Sequence, residues 1–474
     1  MDNNNAIKTP PTGLAMLALV GPGLVWCSEM IGSGEVIIST RVGAILGTGV
    51  IWAVVVGIFL KYWIGMGGAW YTVCTGEGMI DMFDRIPGPR HWVVWIVLVI
   101  QFLSATIAMG AIATAAGVFL NSLIPISAYF GGWGGWGGWV VSIFGLIVAW
   151  SGGFKILKAI MSFFVLIMIL GILYVSIVLF PGWRQFLEGF LFKIPSVPAW
   201  AVSEAGVSQN PWREILPLMG WAAGGFASHV WYTYWVLGAE YGAAAGRGFG
   251  KPADTAFLKS LDRSGAEKIR GWCHVVRGDA TLAMTITVVL TICFLIAGAV
   301  VLGSNELAPE GPEVAITLSR IFSSKWGNVG GFLFLFAGTA ALVGTLTAQL
   351  AGWPRLFADA FRMCMPKLMG RMTWKTQFRL FLILFFVTNV TIVLTLGLRP
   401  VFLVKTSAIC EGLLLTPLQA IWVAVGLFVV MPKMFSKESY AILKPHWSVA
   451  VFLFLAFLVF GYFCVFQIPY SLAS

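Results

Sequence analysis

The chain has 474 residues, of which 59% are apolar and only 11% are charged, with a formal net charge of +10. Soluble domains carry about 25% charged residues, and a water-soluble globule of this size could not cover its surface with so few. The composition therefore excludes a soluble enzyme, a nucleic-acid-binding protein and a disordered chain, and it indicates a polytopic membrane protein.

Eleven apolar runs follow one another along the chain and predict eleven membrane-spanning helices, here called spans one to eleven. They lie at 14–46, 49–75, 92–124, 137–152, 155–181, 214–241, 279–303, 329–353, 378–398, 402–431 and 446–468. Span four is the shortest, and the Gly- and Trp-rich stretch 133–139 is expected to form its interfacial end. The sequence thus predicts an all-α membrane protein whose outer surface contacts the lipid bilayer.

The segments that connect the spans differ in charge. Most of the 30 Lys and Arg residues fall in segments on the same side of the membrane as the N-terminus, and the largest groups lie at 247–277 and 355–379. Because basic residues favour the cytoplasmic side, the N-terminus is expected in the cytoplasm. An odd number of spans then places the C-terminus on the outer side of the cell membrane.

Two spans contain glycine-rich interruptions beside polar residues. Span one reads Gly-Ser-Gly-Glu at 32–35, and span six reads Ala-Ala-Gly-Gly-Phe-Ala-Ser-His at 222–229. The interruptions are five spans apart, so spans one to five and six to ten are predicted to be two five-helix repeats of opposite orientation. The predicted boundaries are a cytoplasmic tail at 1–12, repeats at 13–181 and 214–431, an outer loop at 182–213, and a cytoplasmic loop with an extra helix at 432–474.

A helix that is broken inside the membrane leaves backbone N–H and C=O groups without partners. Each such group costs several kcal/mol unless a cavity, water or substrate satisfies it. Breaks at matching positions of two inverted repeats are typical of transporter binding sites. We therefore predict a binding site at the two breaks, although glycines at these positions could also serve close helix packing.

Four short segments carry a family resemblance. Gly-Pro-Gly at 21–23 opens span one, Thr-Gly-Glu-Gly-Met-Ile-Asp-Met-Phe at 75–83 follows span two, Gly-Phe-Lys-Ile-Leu-Lys-Ala at 153–159 enters span five, and the Gly- and Thr-rich segment 338–349 lies in span eight. In this order they resemble the Nramp family of divalent-metal transporters, within the amino acid–polyamine–organocation superfamily. His229 falls on the histidine of the family's span-six motif. The resemblance covers nearly the whole chain and implies a LeuT-like five-plus-five inverted repeat with about eleven transmembrane helices.

Several positions of the family's metal site differ in this chain. The resemblance aligns the metal-binding aspartate of span one with Gly32, the neighbouring asparagine with Glu35, and the methionine of span six with Ala227. The acidic residues of the family's proton route are absent from 105–117 in span three, where no side chain is ionisable. Loss of the methionine is similar to the Nramp-related magnesium branch. Gly-Ser-Gly at 32–34, in contrast, resembles the triplet with which amino-acid carriers of the superfamily hold a carboxylate.

Ionisable side chains inside a membrane span are costly, so they are candidates for function. Glu35 is expected either to bind the substrate or to cap the half-helix that it begins. Glu29 is expected either to line the path or to pair with Lys61 of span two. His229 is expected to be a pH-sensitive gate or a hydrogen-bonded structural residue. The predicted metal ligands are Glu35 and Glu29, and the predicted substrate-binding residues are Gly32, Ser33, Gly34, Glu35, Gly224, Gly225, Ala227, Ser228, His229 and Glu411.

The cysteines and tryptophans are expected to have structural roles. The seven cysteines show no CxxC spacing and are expected to be small buried hydrophobes, with neither a disulfide framework nor a zinc site. The tryptophans, Trp231 and Trp235 among them, are expected to mark the membrane interfaces. No P-loop spacing is present, so ATP hydrolysis is not expected.

Two functions follow from the sequence, and neither involves chemical catalysis or a bound organic cofactor. The first is an alternating-access carrier of a hard divalent metal ion such as Mg²⁺ or Mn²⁺, with weak or no proton coupling. The alternative is a carrier of a small organic amine or amino acid that uses the Gly-Ser-Gly break of span one. The expected partners are thus a small solute or metal ion and the lipid bilayer. A non-transporting membrane scaffold would require both breaks to be closed, continuous helix.

Overall fold

The computed structural model describes residues 7–11, 13, 21–125, 135–150, 166, 169–203 and 207–473. Within these ranges the regular structure is helical throughout, as predicted. Seven helical stretches are long and apolar enough to cross a membrane. They are Gly34–Thr75, Trp92–Leu123, Arg263–Asn305, Gly311–Cys364, Trp374–Leu396, Pro400–Met434 and Trp447–Ala473.

The eleven predicted spans can be traced onto these helices. The first stretch contains the second part of span one together with span two, which is the helix Ile51–Thr75. Spans four and five appear as the shorter apolar helices Trp136–Ala149 and Ile169–Val178, and span six is a pair of half-helices. The segment 153–159, which carries part of the family resemblance, lies outside the described residues.

Spans one and six are broken at the predicted positions. The first half-helix of span one is Pro22–Met30, and the chain resumes at Gly34–Ser39 as a π-helix that continues into Thr40–Leu46. The half-helices of span six are Trp212–Trp221 and Phe226–Gly238. The connection in span six is tightly bent, because Ala223 and Gly224 both have positive φ angles, 64° and 70°. Such a conformation is costly for a residue with a Cβ atom, so the strain at Ala223 has to be offset by surrounding contacts.

Span ten was predicted as one continuous helix, and this is wrong. It consists of Pro400–Gly412 and Thr416–Val425, separated by three non-helical residues. The sequence Gly-Leu-Leu-Leu-Thr at 412–416 contains only one glycine, so the apolar run hides the interruption. The break places Glu411 in the last turn of the first part of span ten.

Span eight starts close to the predicted residue and extends beyond its predicted end at residue 353, to Cys364. The helix Val314–Cys364 contains one residue with non-helical angles, Gly327, whose φ is 56°. This glycine separates a preceding loop helix from the membrane-spanning part, which agrees with the predicted start at residue 329.

The broken helices lie inside the bundle and the unbroken peripheral helices face its surroundings. In spans nine and eleven only 28% of an 18-residue apolar stretch is buried, whereas 72% of such a stretch is buried in Gly34–Thr75. Large apolar side chains such as Leu394 and Val465 are exposed on these peripheral helices, as expected for a surface that contacts lipid. The breaks in spans one and six therefore lie on helices that are more buried than spans nine and eleven.

Candidate substrate site at the helix breaks

A small cavity lies between the breaks of spans one and six. Its volume is about 30 Å³, which is enough for one or two water molecules or for a small ion. Spans three, eight and ten complete its wall. The predicted site residues that line it are Glu29, Gly32, Ser33, Gly34, Gly224, Gly225, Ser228 and Glu411.

Gly32 lies in this wall at a close contact with span eight. A Cβ atom on Gly32 would lie 2.4 Å from Oγ1 of Thr345 on span eight. The same hydroxyl donates a hydrogen bond of 3.2 Å to the backbone carbonyl of Glu29. Thr345 thus satisfies one of the carbonyls that the end of the first half-helix leaves without an intrahelical partner.

Glu29 bridges the two breaks. Its Oε2 accepts a hydrogen bond of 2.5 Å from Oγ of Ser228 on span six. The Ser228 hydroxyl in turn accepts a hydrogen bond of 3.0 Å from Nε1 of Trp26. This chain of contacts fixes the carboxylate in the cavity wall, where it can present its other oxygen to a bound group.

Glu411 is held on the opposite side by two donors. Its Oε1 accepts a hydrogen bond of 2.6 Å from the backbone N–H of Ala227, in the first turn of the second half-helix of span six. Its Oε2 accepts one of 3.0 Å from Nε2 of Gln101 on span three. A carboxylate at a helix N-terminus is stabilised by the helix dipole and by the N–H groups exposed there.

Lys61 donates its hydrogen bonds to span six. The pairing with Glu29, one of the two alternatives from the sequence, is not found among the ion pairs of the described residues. The Lys61 Nζ donates to the backbone carbonyls of Gly220, Ala222 and Gly224, at 2.5, 3.2 and 2.6 Å. The side chain is completely buried. Lys61 therefore covers the exposed carbonyls at the break of span six.

Glu35 lies at the break but is absent from the residues that line the cavity. Its Oε2 accepts a hydrogen bond of 3.2 Å from the N–H of Gly32, so the carboxylate reaches back three residues to the start of the second part of span one. Its Oε1 is buried and has no hydrogen-bond partner among the described residues. The structure thus does not bring Glu35 and Glu29, the two predicted metal ligands, together on the cavity wall.

Two further predicted site residues support the site from outside the cavity. Ala227 contributes its backbone N–H to Glu411. His229 is fully buried, and its Nδ1 lies 3.0 Å from Oε1 of Gln419 on span ten. The His229 ring also contacts Trp26 edge-on, with the ring centroids 6.0 Å apart.

The structure adds residues that sequence reasoning missed. Trp221, Trp231 and Trp353 line the cavity, and so does the thioether residue Met30. The expectation that Trp231 marks the interface is wrong, because this side chain is only 2% exposed. The sequence feature that could have indicated a place in the cavity wall is the position of Trp231, a few residues after the span-six break.

A preformed cluster of metal ligands is not found in the parts of the chain that the structure describes. No group of three or more His, Cys, Asp or Glu side chains there is arranged to hold a metal ion. The carboxylates that line the cavity are Glu29 and Glu411, accompanied by the neutral oxygens of Ser33, Thr345 and Gln349. Any metal bound here would therefore complete its coordination with neutral oxygens or water.

A cluster of ion pairs joins the second part of span one to spans six and ten on one side of the site. Arg41 and Glu214 are buried and 3.0 Å apart, and Lys405 contacts the same carboxylate at 2.7 Å. A second oxygen acceptor for Arg41 is Glu310, at 2.7 Å. A carboxylate shared by two cations in this way connects three helices that the break in span one could otherwise let move apart.

On the other side of the site, a second cluster follows span two. Asp81, in the short helix Met79–Asp84, pairs with Arg362 of span eight at 2.7 Å. Glu77 accepts hydrogen bonds from Arg85 at 2.6 Å and from the backbone N–H of Ala253 at 2.6 Å. These contacts give partners to both acidic residues of the segment 75–83, and ion pairs therefore lie on both sides of the cavity.

Comparison with known proteins supports the fold more than the family. No protein-family model matches the chain. An uncharacterized protein of Pasteurella multocida is 23% identical over 359 residues, which are 74% of this chain and 72% of that protein.

Solved structures are similar over almost the whole chain. The manganese transporter of Eremococcus coleocola, in complex with an aromatic bis-isothiourea compound, matches with a TM-score of 0.64 and 16% identity, covering 97% of this chain and 90% of its own. MhsT in complex with L-phenylalanine matches with a TM-score of 0.57 and 13% identity, and the match covers 96% of this chain and 99% of the MhsT chain. Mhp1, a nucleobase-cation-symport-1 family transporter with bromovinylhydantoin bound, matches with a TM-score of 0.53 and 14% identity. This match covers 95% of this chain and 93% of the Mhp1 chain. The protein is thus an all-α, multi-pass membrane protein with the LeuT-like fold of these transporters.

Proposed function

We propose that this protein is a membrane transporter that works by alternating access and carries a small cationic substrate. The best candidate is a hard divalent metal ion such as Mg²⁺ or Mn²⁺. The observation that carries the proposal is the pair of carboxylates, Glu29 and Glu411, on opposite parts of a small cavity between two helix breaks. In transporters of this architecture, substrates and ions bind at such breaks near the bilayer midplane.

The charges buried at the breaks favour a cation. Glu29, Glu35 and Glu411 are acidic, and Lys61 is the basic side chain bound directly at the span-six break. When all three carboxylates are ionised, this set has an excess of two negative charges. A divalent cation would balance that excess, and buried charges are stable only when they are paired.

The donor atoms favour a hard ion that keeps part of its water shell. Carboxylates and neutral oxygens suit Mg²⁺ and Mn²⁺, and Mg²⁺ is commonly held by one or two carboxylates plus water. Among the described residues that line the cavity, the thioether of Met30 is the one soft group, and its sulfur lies 3.8 Å from Oγ1 of Thr287 on span seven. We therefore expect softer ions such as Cd²⁺ to bind no better than Mn²⁺.

Weak or absent proton coupling is part of the same proposal. Span three has no ionisable side chain between residues 105 and 117, and it contacts Glu411 through the side-chain amide of Gln101. A neutral amide can orient Glu411 but cannot carry a proton away from it. Metal uptake into liposomes that contain a pH-sensitive dye should therefore proceed without stoichiometric acidification.

The direct test is binding and uptake by purified protein. Mg²⁺ and Mn²⁺ should raise the melting temperature with dose, since a ligand of the folded state stabilises it by mass action. Glu29→Gln and Glu411→Gln should each weaken binding by about tenfold or more, because each removes one of two cavity carboxylates. The matched control is Glu306→Gln, at an exposed loop position. Absence of any divalent-ion effect up to millimolar concentrations would overturn the metal assignment.

A second candidate substrate, an organic amine or amino acid, is favoured by the indoles of Trp231 and Trp353. Both side chains line the cavity, and the Nε1 atom of each is buried without a hydrogen-bond partner among the described residues. Indole faces attract organic cations, and indole N–H groups can donate to a carboxylate. A larger solute would require the present cavity to expand when it binds.

The same binding assay separates the two candidates. A panel of amines and amino acids should leave the melting temperature unchanged if the cargo is a metal ion. Stabilisation by an organic compound, lost in Trp353→Phe and unaffected by divalent ions, would replace the first proposal by the second.

A further inference from the structure

The ammonium group of Lys61 is bound as a free cation would be. Lys61 lies in the middle of span two, and its Nζ reaches across to span six, where three backbone carbonyls accept its hydrogen bonds. A lysine ammonium has three N–H donors and no acceptor. Three donors therefore meet three acceptors, and the contact needs neither water nor another side chain.

The three carbonyls belong to the end of a half-helix. Gly220 lies in the last turn of Trp212–Trp221, and Ala222 and Gly224 follow in the connection. The C-terminal end of a helix carries partial negative charge on its free carbonyls. In broken-helix transporters such ends bind the coupling or transported cation.

The surroundings of the ammonium exclude a second ion. Lys61 has no exposed surface, and the ring of Phe460 on span eleven lies 5.8 Å from its Nζ. Behind the carbonyls, Gly220 packs against Gly412 of span ten so closely that a Cβ atom on Gly412 would lie 1.9 Å from the Gly220 oxygen. The ammonium thus faces an aromatic ring, and one of its acceptors, the Gly220 oxygen, is covered by the backbone of span ten.

We propose that Lys61 is a tethered cation, which permanently occupies the position at the span-six break where a free monovalent cation would otherwise bind. The carbonyl end of the span-six break then takes no coupling ion, and the cargo binds in the cavity beside it, whose wall carries Glu29 and Glu411. This goes beyond the proposed function, because it concerns a different part of the break and holds for either candidate cargo.

The test is chemical rescue of Lys61→Ala. This variant removes the ammonium and leaves a space beside three carbonyls. In choline chloride its melting temperature should fall by several degrees relative to the unmodified protein. Replacing choline by methylammonium, ammonium or Na⁺ at constant ionic strength should restore it in a saturable manner, while the unmodified protein shows no such dependence.

Two variants serve as controls. Lys61→Met fills the space with an uncharged side chain of similar length, so it should be destabilised and should not respond to methylammonium. Lys251→Ala, at an exposed position, should behave as the unmodified protein does in every salt. If Lys61→Ala cannot be purified in choline, recovery of folded protein when methylammonium is present throughout is the supporting result.

Three outcomes would overturn the proposal. They are a Lys61→Ala melting temperature that does not depend on the cation, a Lys61→Met variant as stable as the unmodified protein, and failure to recover Lys61→Ala even with methylammonium. All are read from protein stability without any cargo. Failure of metal binding would therefore count only against the proposed function, and failure of rescue only against the role of Lys61.

Discussion

The carboxylate of Glu411 on span ten and the backbone N–H of Ala227 on span six are joined by a hydrogen bond of 2.6 Å. This contact closes the N-terminal end of one half-helix with a charge from a neighbouring helix, while Lys61 covers the C-terminal end of the other half. The two ends of the span-six break are therefore satisfied by opposite charges, as the helix dipole requires.

Gln101 is expected to position Glu411, and its replacement tests this. Gln101→Leu removes the donor that lies 3.0 Å from Glu411 Oε2, which leaves that oxygen buried without its partner. A hydrogen bond to a charged group contributes about 1.5–3 kcal/mol, so we expect a lower melting temperature and weaker cargo binding. Thr106→Val on the same span is the control, because it loses only a bond within its own helix. Cargo affinity that remains unchanged in Gln101→Leu would argue against this role.

Gly32 and Thr345 are expected to be coupled. Gly32→Ala places a Cβ atom 2.4 Å from Thr345 Oγ1, which requires the two helices to separate. Overpacking of this kind typically costs about 1–3 kcal/mol. In the double variant with Thr345→Ala, the hydroxyl is gone and part of the stability should return. A double-mutant cycle by thermal denaturation measures the coupling, and strictly additive effects would show that the contact is not as described.

Glu214 is expected to be essential for stability at its side of the bundle. Glu214→Gln leaves Arg41 fully buried, with its Nε and Nη2 losing the carboxylate that they contact at 3.0 and 3.3 Å. Removing one partner from a buried ion pair costs about 3–5 kcal/mol. Here Lys405 loses its contact with this carboxylate, and Arg41 keeps the partly exposed Glu310 as its acidic partner. Glu188→Gln breaks the exposed pair with Arg184 and should change the melting temperature very little. Equal effects of the two substitutions would contradict the buried network.

Gly412 is expected to protect the carbonyl that binds Lys61. Gly412→Ala would push a methyl group against the Gly220 oxygen, at 1.9 Å in the present geometry, and so displace one of the three acceptors. We expect a marked loss of stability, measured as a lower melting temperature. Gly461→Ala on span eleven is the matched control, because nothing lies within 4 Å of its added Cβ. There, the higher helix propensity of alanine should leave stability unchanged or slightly raise it.

Much of the fold could be predicted because hydropathy is a local property. A run of apolar residues requires a helix in lipid whatever its neighbours are, so the positions of the spans follow from the sequence alone. The breaks at 31–33 and 222–225 were also visible, because glycines beside polar residues are unusual inside an apolar run. The break in span ten was not visible, because Leu413, Leu414 and Leu415 look like continuous helix.

The candidate site could be predicted in part. Ser33, Gly224 and Ser228, which the sequence singles out, all line the cavity. Which acidic residues face the cavity could not be predicted from the sequence. Glu29 and Glu411 line the cavity, whereas Glu35 accepts a hydrogen bond from the N–H of Gly32. A carboxylate near a break can either cap a helix end or face the space between helices, and its position along the chain does not distinguish the two.

The sequence by itself determined that this protein is a bundle of apolar helices with two interrupted spans, because apolar length and glycine placement act within a few residues. The tertiary structure alone decided which polar groups meet. Lys61 finds carbonyls 159 to 163 residues away, and Glu411 finds Gln101 at a separation of 310 residues. Such pairings depend on the rotation and depth of each helix, and in spans that are apolar on every side only helix-to-helix packing sets these.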